Sequence, residues 1–134
     1  MPIRLPPGLE LIEDTEGSGK MAERGDRVTY NVRIFLNRGD EVPINETQAR
    51  TGLPPDKQRH EGGRVVIDHT TVLGSREAIA GIEQALFGMK PGGHRKVRIS
   101  SHLAYSERGV PGLIPPNAVL SVDIWLRMSR AALS

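Results

Sequence analysis

Only one segment of this chain has the apolar pattern of an amphipathic helix, and that limits the folds open to it. Between Arg76 and Met89, apolar residues recur at three- and four-residue spacing and share one face: Ala78, Ile79, Ile82, Ala85, Leu86 and Met89. Ser75 is placed to cap the N-terminus, and Pro91 with the glycines after it ends the segment. A single short helix must bury this face against another layer of structure.

The flanking segments have the alternation of apolar and polar residues that is typical of β-strands. The clearest case is Arg27–Asn37, and the same pattern predicts strands at Leu9–Thr15, Arg64–Leu73, His94–Ser100 and Val119–Met128. We therefore predict one α+β domain over residues 1–134, in which a curved antiparallel sheet wraps around one short α-helix.

The segment Pro43–Gly63 departs from this pattern because it is polar, contains several turn formers and has little periodicity. We predict a long loop inserted into the domain, with Gly62–Gly63 as its hinge. Loops of this length in compact domains are usually functional or mobile, and both interpretations fit the sequence.

The composition argues against several functional classes. Eighteen basic and sixteen acidic residues give a net charge of +2, which is too small to indicate a nucleic-acid partner. The chain has no cysteine, and its four histidines follow no compact metal-binding spacing, so we expect no metal. Met1–Glu10 lacks the apolar core of a signal peptide, and no apolar run has the length of a membrane span. We therefore expect a cytoplasmic protein without a membrane partner.

A series of short motifs in the second half of the chain identifies the family that it resembles. They are Val72–Gly74, the helix positions Ile79, Gly81 and Glu83, the turn Gly88–Gly93, and the segments Lys96–Ser100, Ala104–Tyr105, Gly112–Ala118 and Leu120–Ile124. In this order and at this spacing, the motifs resemble those of the FKBP-type peptidyl-prolyl cis-trans isomerases. The resemblance implies an FKBP-like half-barrel of antiparallel strands around the helix, with a prolyl pocket between helix and sheet.

The resemblance also implies roles for individual residues. Tyr105 matches the family tyrosine that hydrogen-bonds a substrate carbonyl, which makes it the candidate catalytic residue. Ile79 matches the residue whose backbone N–H does similar work. Leu113 lies in the loop that borders the pocket, and Val122 takes a place on the pocket floor.

Other pocket positions differ from the family by lacking its aromatic side chains. Ile82 stands where the family has a tryptophan under the proline ring, and Val32 stands where it has a tyrosine. Val42, followed by Pro43, replaces a phenylalanine–aspartate pair. If each change forfeits a third of the 150–250 Å² that an aromatic buries, the loss is roughly 1–2 kcal/mol per site.

His69 and Thr71 also occupy positions where the family has aromatic residues that face the cleft. His69 could hydrogen-bond a ligand carbonyl or a charged peptide group, or it could be a partly buried histidine bonded to a neighbour. Both interpretations remain open from the sequence.

The resemblance implies an isomerase of X-Pro peptide bonds, a reaction that needs no cofactor, metal or nucleophile. Its partners would be proline-containing peptides or unfolded protein clients. The missing aromatics predict weak activity and weak or absent binding of the family's macrolide inhibitors. Separately, we expect a monomer. The alternative is a catalytically impaired FKBP-like binding or chaperone module.

Overall fold

The computed structural model describes residues 5–43, 58–61 and 64–131. These ranges contain β1 (Leu9–Thr15), β2 (Arg27–Leu36), β3 (Glu41–Val42), β4 (Gln58–Glu61), β5 (Arg64–Ile67), β6 (His69–Val72), α1 (Ala80–Leu86), β7 (His94–Ile99) and β8 (Leu120–Arg130). A single turn of 3-10 helix, Ser101–Leu103, follows β7.

A six-stranded antiparallel sheet forms most of the domain, with the neighbouring strands β7, β8 and β2 at its centre and β1 at one edge, beside β7. The remaining edge of β2 is shared by two strands, because β6 pairs with its first half and β3 pairs at Ile34 and Phe35. β4 and β5 form a separate two-stranded hairpin. The sheet curls around α1, which confirms the predicted α+β half-barrel.

The core lies between α1 and the concave face of the sheet. The inward side chains of β7 and β8 are completely buried: Val97, Ile99, Leu120, Val122, Ile124 and Leu126. Burial of each such side chain stabilises the fold by roughly 1.5–3 kcal/mol. Gly81 allows the helix to lie close to the sheet, since a Cβ at this position would be 2.4 Å from Cγ2 of Ile99.

The helix begins later than the predicted Arg76–Met89 segment and starts only at Ala80. Arg76 has a φ of 67°, which is left-handed and cannot belong to a right-handed helix. The N-cap is Ile79 and has no side-chain capping bond, so the predicted cap at Ser75 is wrong. The apolar pattern extended beyond the helix because residues in the adjoining loops also face the core.

The helix also ends before Met89, with Leu86 as its last residue. Gly88 has a φ of 81°, a left-handed conformation that glycine adopts at low cost at the end of a helix. Met89 is nevertheless buried, and its carbonyl accepts a hydrogen bond from the Ala22 N–H at 2.8 Å. Its side chain therefore contributes to the core from a turn.

The predicted strand Arg64–Leu73 is interrupted at Asp68, which separates β5 from β6. The predicted loop Pro43–Gly63 contains β4. The predictions of one continuous strand and of a loop without strands are therefore both wrong. Glu61 pairs with Arg64, and the two glycines between them in the sequence are a composition typical of a tight hairpin. The predicted hinge at Gly62–Gly63 and residues 44–57 lie outside the described residues.

The buried side chain of Asn31 connects the β4–β5 hairpin to the main sheet. Its Nδ2 donates to the Ile67 carbonyl at 2.7 Å and to Oδ1 of Asp68 at 2.8 Å. Its Oδ1 accepts a hydrogen bond from Nε of Arg127 at 2.5 Å. Arg127 is the extra residue of a bulge in β8 opposite Thr29 and Tyr30, which redirects its side chain.

Candidate functional site

A cleft of about 180 Å³ lies between the N-terminal end of α1 and the concave face of β2. It is lined by Tyr30, Val32, Ile34, His69, Glu77, Ala78, Ile79, Ile82 and Tyr105. Tyr30, Val32 and Ile34 reach it together because alternate residues of a strand point to the same face. The cleft is therefore built from one face of β2, the first residue of β6, the beginning of one helix and two loops.

One wall of the cleft is a pair of stacked rings on neighbouring strands. Tyr30 and His69 are register partners in β2 and β6, and their ring centroids are 5.3 Å apart with an angle of 26° between the planes. Burial raises the pKa of the Tyr30 phenol to about 12, with a smaller contribution from Tyr105. The Tyr30 hydroxyl consequently keeps its proton throughout the neutral pH range.

Tyr105 faces the cleft from the loop between β7 and β8. Its carbonyl accepts a hydrogen bond from the Gly109 N–H at 3.1 Å, and the Asn117 N–H donates to the Ser106 carbonyl at 2.8 Å. These bonds fix the backbone on both sides of the phenol. Burial also raises the pKa of Tyr105, so its hydroxyl is a neutral hydrogen-bond donor at neutral pH.

The opposite wall is a loop that Glu83 holds against the helix. The Glu83 side chain is buried, and its Oε2 accepts hydrogen bonds from the N–H groups of Gly74 at 3.1 Å and Arg76 at 3.2 Å. This loop leads directly into Ile79, whose backbone is extended. No residue in the described part of the chain accepts a hydrogen bond from the Ile79 N–H, which leaves this donor open to a ligand.

The structure brings five of the nine residues proposed from the sequence to this cleft: Val32, His69, Ile79, Ile82 and Tyr105. Val42 and Val122 are buried beside it. Both are register partners of Ile34, on opposite sides of β2, so they support the cleft wall from within the core.

Thr71 and Leu113 lie elsewhere. Thr71 is buried, with its hydroxyl oxygen 3.5 Å from that of Ser75. Leu113 lines a separate pocket of about 490 Å³, together with Leu36 and the prolines of the β7–β8 loop. That pocket opens further along the same face of β2, since Leu36 follows Ile34 by two positions.

Sequence reasoning did not single out Tyr30, Ile34, Glu77 or Ala78 as part of the cleft. The alternation of β2 contained the signal for the first two, because Tyr30 and Ile34 flank Val32 on the same strand face. Glu77 and Ala78 were assigned to the helix. They line the cleft because the helix starts only after them, a consequence of the distant contact between Glu83 and Gly74.

The cleft offers hydrogen-bond donors beside apolar side chains in a partly closed surface. Within the described ranges, no group of three or more His, Cys, Asp or Glu residues is arranged to hold a metal ion. Across the same ranges, no helix has both the length and the apolar character needed to span a membrane. This arrangement suits recognition of a neutral amide carbonyl next to an apolar ring.

Comparisons with known proteins agree with this geometry. A sequence model of the FKBP-type peptidyl-prolyl cis-trans isomerases matches residues 18–127. The chain is 39% identical over 90 residues to peptidyl-prolyl cis-trans isomerase FPR2 of Saccharomyces cerevisiae, a match that covers 66% of this chain and 64% of that protein. It is 32% identical over 120 residues to an FK506-binding protein of Neisseria meningitidis, covering 89% of this chain and 94% of the relative.

The fold comparison extends over almost the whole chain. The crystal structure of FkpA from Escherichia coli superposes with a TM-score of 0.64 at 27% identity, covering 93% of this chain and 48% of FkpA. The chain thus spans about two thirds of the yeast relative and about half of the FkpA chain. From the sequence motifs, the half-barrel and the family match together, the chain belongs to the FKBP-type peptidyl-prolyl cis-trans isomerases.

Proposed function

We propose that this protein catalyses cis-trans isomerisation of X-Pro peptide bonds in the cleft at the N-terminal end of α1. The observation that carries this proposal is that the neutral Tyr105 hydroxyl and the Ile79 residue line one cleft together with the apolar side chains of Val32 and Ile82. Spontaneous rotation faces a barrier of about 20 kcal/mol. A site that binds the twisted amide better than the planar amide lowers that barrier without forming a covalent bond.

The cleft residues divide this work between them. Val32 and Ile82 provide apolar contact for the proline ring, and Tyr105 donates a hydrogen bond to a carbonyl of the substrate. The planar amide is the more polar form because of its resonance, so exclusion of water favours the twisted form. No proton has to leave Tyr105, and its raised pKa keeps the donor in place.

We propose that the activity is weak. Ile82 and Val32 present less contact area than aromatic side chains would, so the proline ring loses binding energy. Low turnover on short peptides and weak or absent macrolide binding follow from this loss. Larger unfolded clients can compensate through contacts outside the cleft. We further propose that the protein acts as a monomer in the cytoplasm, without nucleic acid or membrane partners, and that it assists protein folding.

A binding or chaperone module that has lost isomerisation is the second candidate. The observation that favours it is the His69 ring, which stacks on Tyr30 at the wall of the cleft and reduces the space there. A cleft of about 180 Å³ holds a proline ring but leaves little room around it. In that case the surfaces outside the cleft would bind client chains.

Catalysed isomerisation of a series of proline tetrapeptides, together with refolding of a protein limited by a proline step, tests the proposal. Tyr105→Phe removes one hydroxyl and retains the ring, so kcat/KM should fall roughly 2–10-fold. Trp125→Phe is the matched control, because Trp125 stacks on His94 on the opposite face of the sheet. We expect this variant to retain full activity.

The outcomes separate the two candidates. Rate enhancement that falls in Tyr105→Phe but not in Trp125→Phe supports an isomerase that uses this cleft. Absence of enhancement on both substrates, while the protein still suppresses aggregation of an unfolded client, supports the binding module. Equal losses in both variants would contradict the assignment of the cleft.

A further inference from the structure

A second cavity lies at the C-terminal end of α1, away from the candidate cleft. Its volume is about 580 Å³, within the range of ligand-binding pockets. Its walls include Asp14, Met21, Phe87, Gly88, Lys90 and Arg95. None of these residues lines the cleft, so the cavity is a separate feature of the molecule.

Arg95 is a buried charge that the protein uses only in part. The residue is 5% exposed, its Nε donates to Oδ1 of Asp14 at 3.0 Å, and its Nη1 donates to the carbonyls of Ala85 and Phe87 at 2.9 Å each. In the described portion of the chain, no acceptor receives a hydrogen bond from Nη2. The guanidinium therefore keeps, at Nη2, hydrogen-bond donors that the fold does not use and that are not fully enclosed.

The unused nitrogen lies next to the cavity. Nη2 of Arg95 is 3.9 Å from the point where a Cβ on Gly88 would stand, and Gly88 and Arg95 both line the cavity. The glycine leaves this side of the guanidinium uncovered. A ligand acceptor here would take the place of water as the partner of Nη2, and a hydrogen bond from a charged donor is favourable.

The charges around the cavity favour a neutral acceptor over an anion. Asp14 already compensates Arg95, and Lys90 forms an ion pair with Glu16. The hydrogen bond from Lys90 lowers the pKa of the Glu16 carboxyl, so this group is negative at neutral pH. A ligand carboxylate would meet these two acidic side chains, whereas a peptide carbonyl is not repelled by them.

The remaining walls suit an apolar side chain. Met21 is 56% exposed although it is a large apolar residue, and Phe87 and Met89 stand beside it in the cavity lining. Flexible methionines adapt to varied apolar partners. Asp14 and Thr15 end β1, the terminal strand of the sheet, whose outer edge pairs with no strand in the described ranges. Such an edge matches an extended polypeptide.

We propose that this cavity binds an extended peptide segment, with an apolar side chain against Met21 and Phe87 and a main-chain carbonyl on Nη2 of Arg95. The recognition is independent of proline. The site would hold an unfolded chain at the opposite end of α1 from the candidate isomerase cleft. It does not depend on that cleft being active.

The test is an NMR titration of the ¹⁵N-labelled protein with the uncharged, proline-free peptide acetyl-Leu-Phe-Ala-amide. We expect shifts at the Met21, Gly88 and Met89 amides and at the Arg95 side chain. Met21→Ser should weaken binding at least about threefold, because it removes apolar contact. Met128→Ser is the matched control, since Met128 is 49% exposed and lies outside the cavity.

Tyr105→Phe should bind this peptide as the original protein does, even if isomerisation is lost or was never present. The affinity for phenylacetamide is compared with the affinity for phenylacetate to test whether the site prefers a neutral acceptor. We expect the amide to bind more tightly. The proposal is overturned if the peptide shifts only residues of the cleft, if both methionine variants weaken binding equally, or if the carboxylate binds more tightly.

Discussion

At each end of α1, a buried charged side chain binds backbone groups, and the two charges have opposite signs. The N-terminal end lacks a side-chain cap, and the buried carboxylate of Glu83 holds the loop that precedes it. At the C-terminal end, the buried guanidinium of Arg95 binds the carbonyls of Ala85 and Phe87. Each charge also has the sign that the helix dipole favours at that end.

The difference lies in where each buried charge stands relative to its cavity. Glu83 does not line the cleft, which offers the Tyr105 hydroxyl and the Ile79 N–H as hydrogen-bond donors beside apolar side chains. Arg95 is itself part of the cavity wall and is accompanied by three further charged residues, Asp14, Glu16 and Lys90. One end of a short helix thus offers a site of about 180 Å³ without a buried charge in its lining, and the other offers one of about 580 Å³ whose lining includes a buried guanidinium.

Removal of the charge at the C-terminal end should have the largest effect. Arg95→Met leaves Asp14 and two carbonyls without their donor, so we expect a loss of about 3–5 kcal/mol in the free energy of unfolding. Urea denaturation measures it. The control is Arg98→Met, which breaks an exposed contact with Glu10 at 3.4 Å and should cost at most about 1 kcal/mol. Similar losses in both variants would contradict a special role for Arg95.

High pH should weaken the N-terminal end through Tyr30. Its pKa is raised from 10.0 to about 12 in the folded protein, so the neutral phenol stabilises the fold fully below pH 10. This stabilisation, roughly 2–3 kcal/mol, should be lost as the pH rises from about 10 to 12. The free energy of unfolding is measured as a function of pH in the original protein and in Tyr30→Phe, and the second curve is subtracted from the first. A difference that does not change across this window would refute the burial of the phenol.

Gly81→Ala tests how closely the N-terminal half of α1 approaches the sheet. Alanine in an open helix position would stabilise by about 1 kcal/mol. Here the new Cβ would stand 2.4 Å from Ile99, so we expect a net destabilisation of about 1–3 kcal/mol. Ala80→Gly, at an exposed position in the same turn, reports helix propensity alone. Thermal unfolding of Gly81→Ala and Ala80→Gly separates the steric effect from helix propensity. If Gly81→Ala stabilised the protein, the contact between α1 and Ile99 would be looser than the distance of 2.4 Å indicates.

The smallest expected effect is that of Glu83→Gln. The amide keeps one oxygen acceptor but loses the charge, so the bonds to Gly74 and Arg76 weaken and stability should fall by about 1 kcal/mol. Isomerase activity should fall with it, because this loop positions Ile79. Glu107→Gln, an exposed change in the β7–β8 loop, should alter neither quantity. If isomerase activity were unchanged in Glu83→Gln, this loop would not position Ile79 for catalysis.

The sequence predicted the sheet better than the helix boundaries. Strands such as β2 and β8 alternate strictly, and burial of one face makes that pattern local and readable. The start of α1 depends instead on a carboxylate that bonds the backbone nine residues earlier, which no periodicity reveals. β4 was missed for a similar reason, since its pairing with β5 rather than its own pattern defines it as a strand.

For the site, the family resemblance supplied Tyr105, Ile79 and Ile82, all of which line the cleft. It could not supply Tyr30, because the contact of Tyr30 with His69 follows from the register between β2 and β6. No sequence pattern predicted the cavity at the C-terminal end of α1. Its residues come from distant segments and only Arg95 among them is a buried charge.

The division of one edge of β2 between β6 and β3 has a consequence for how the sequence can vary. Each of these strands is fixed by its own hydrogen bonds to β2, so the connection between them can change length without shifting the register of either. Closing a longer loop costs only about 0.6 kcal/mol for each doubling of its length. An insertion or deletion between Val42 and Gln58 should therefore be tolerated far better than one within β2 itself, which would displace every partner along both of its edges.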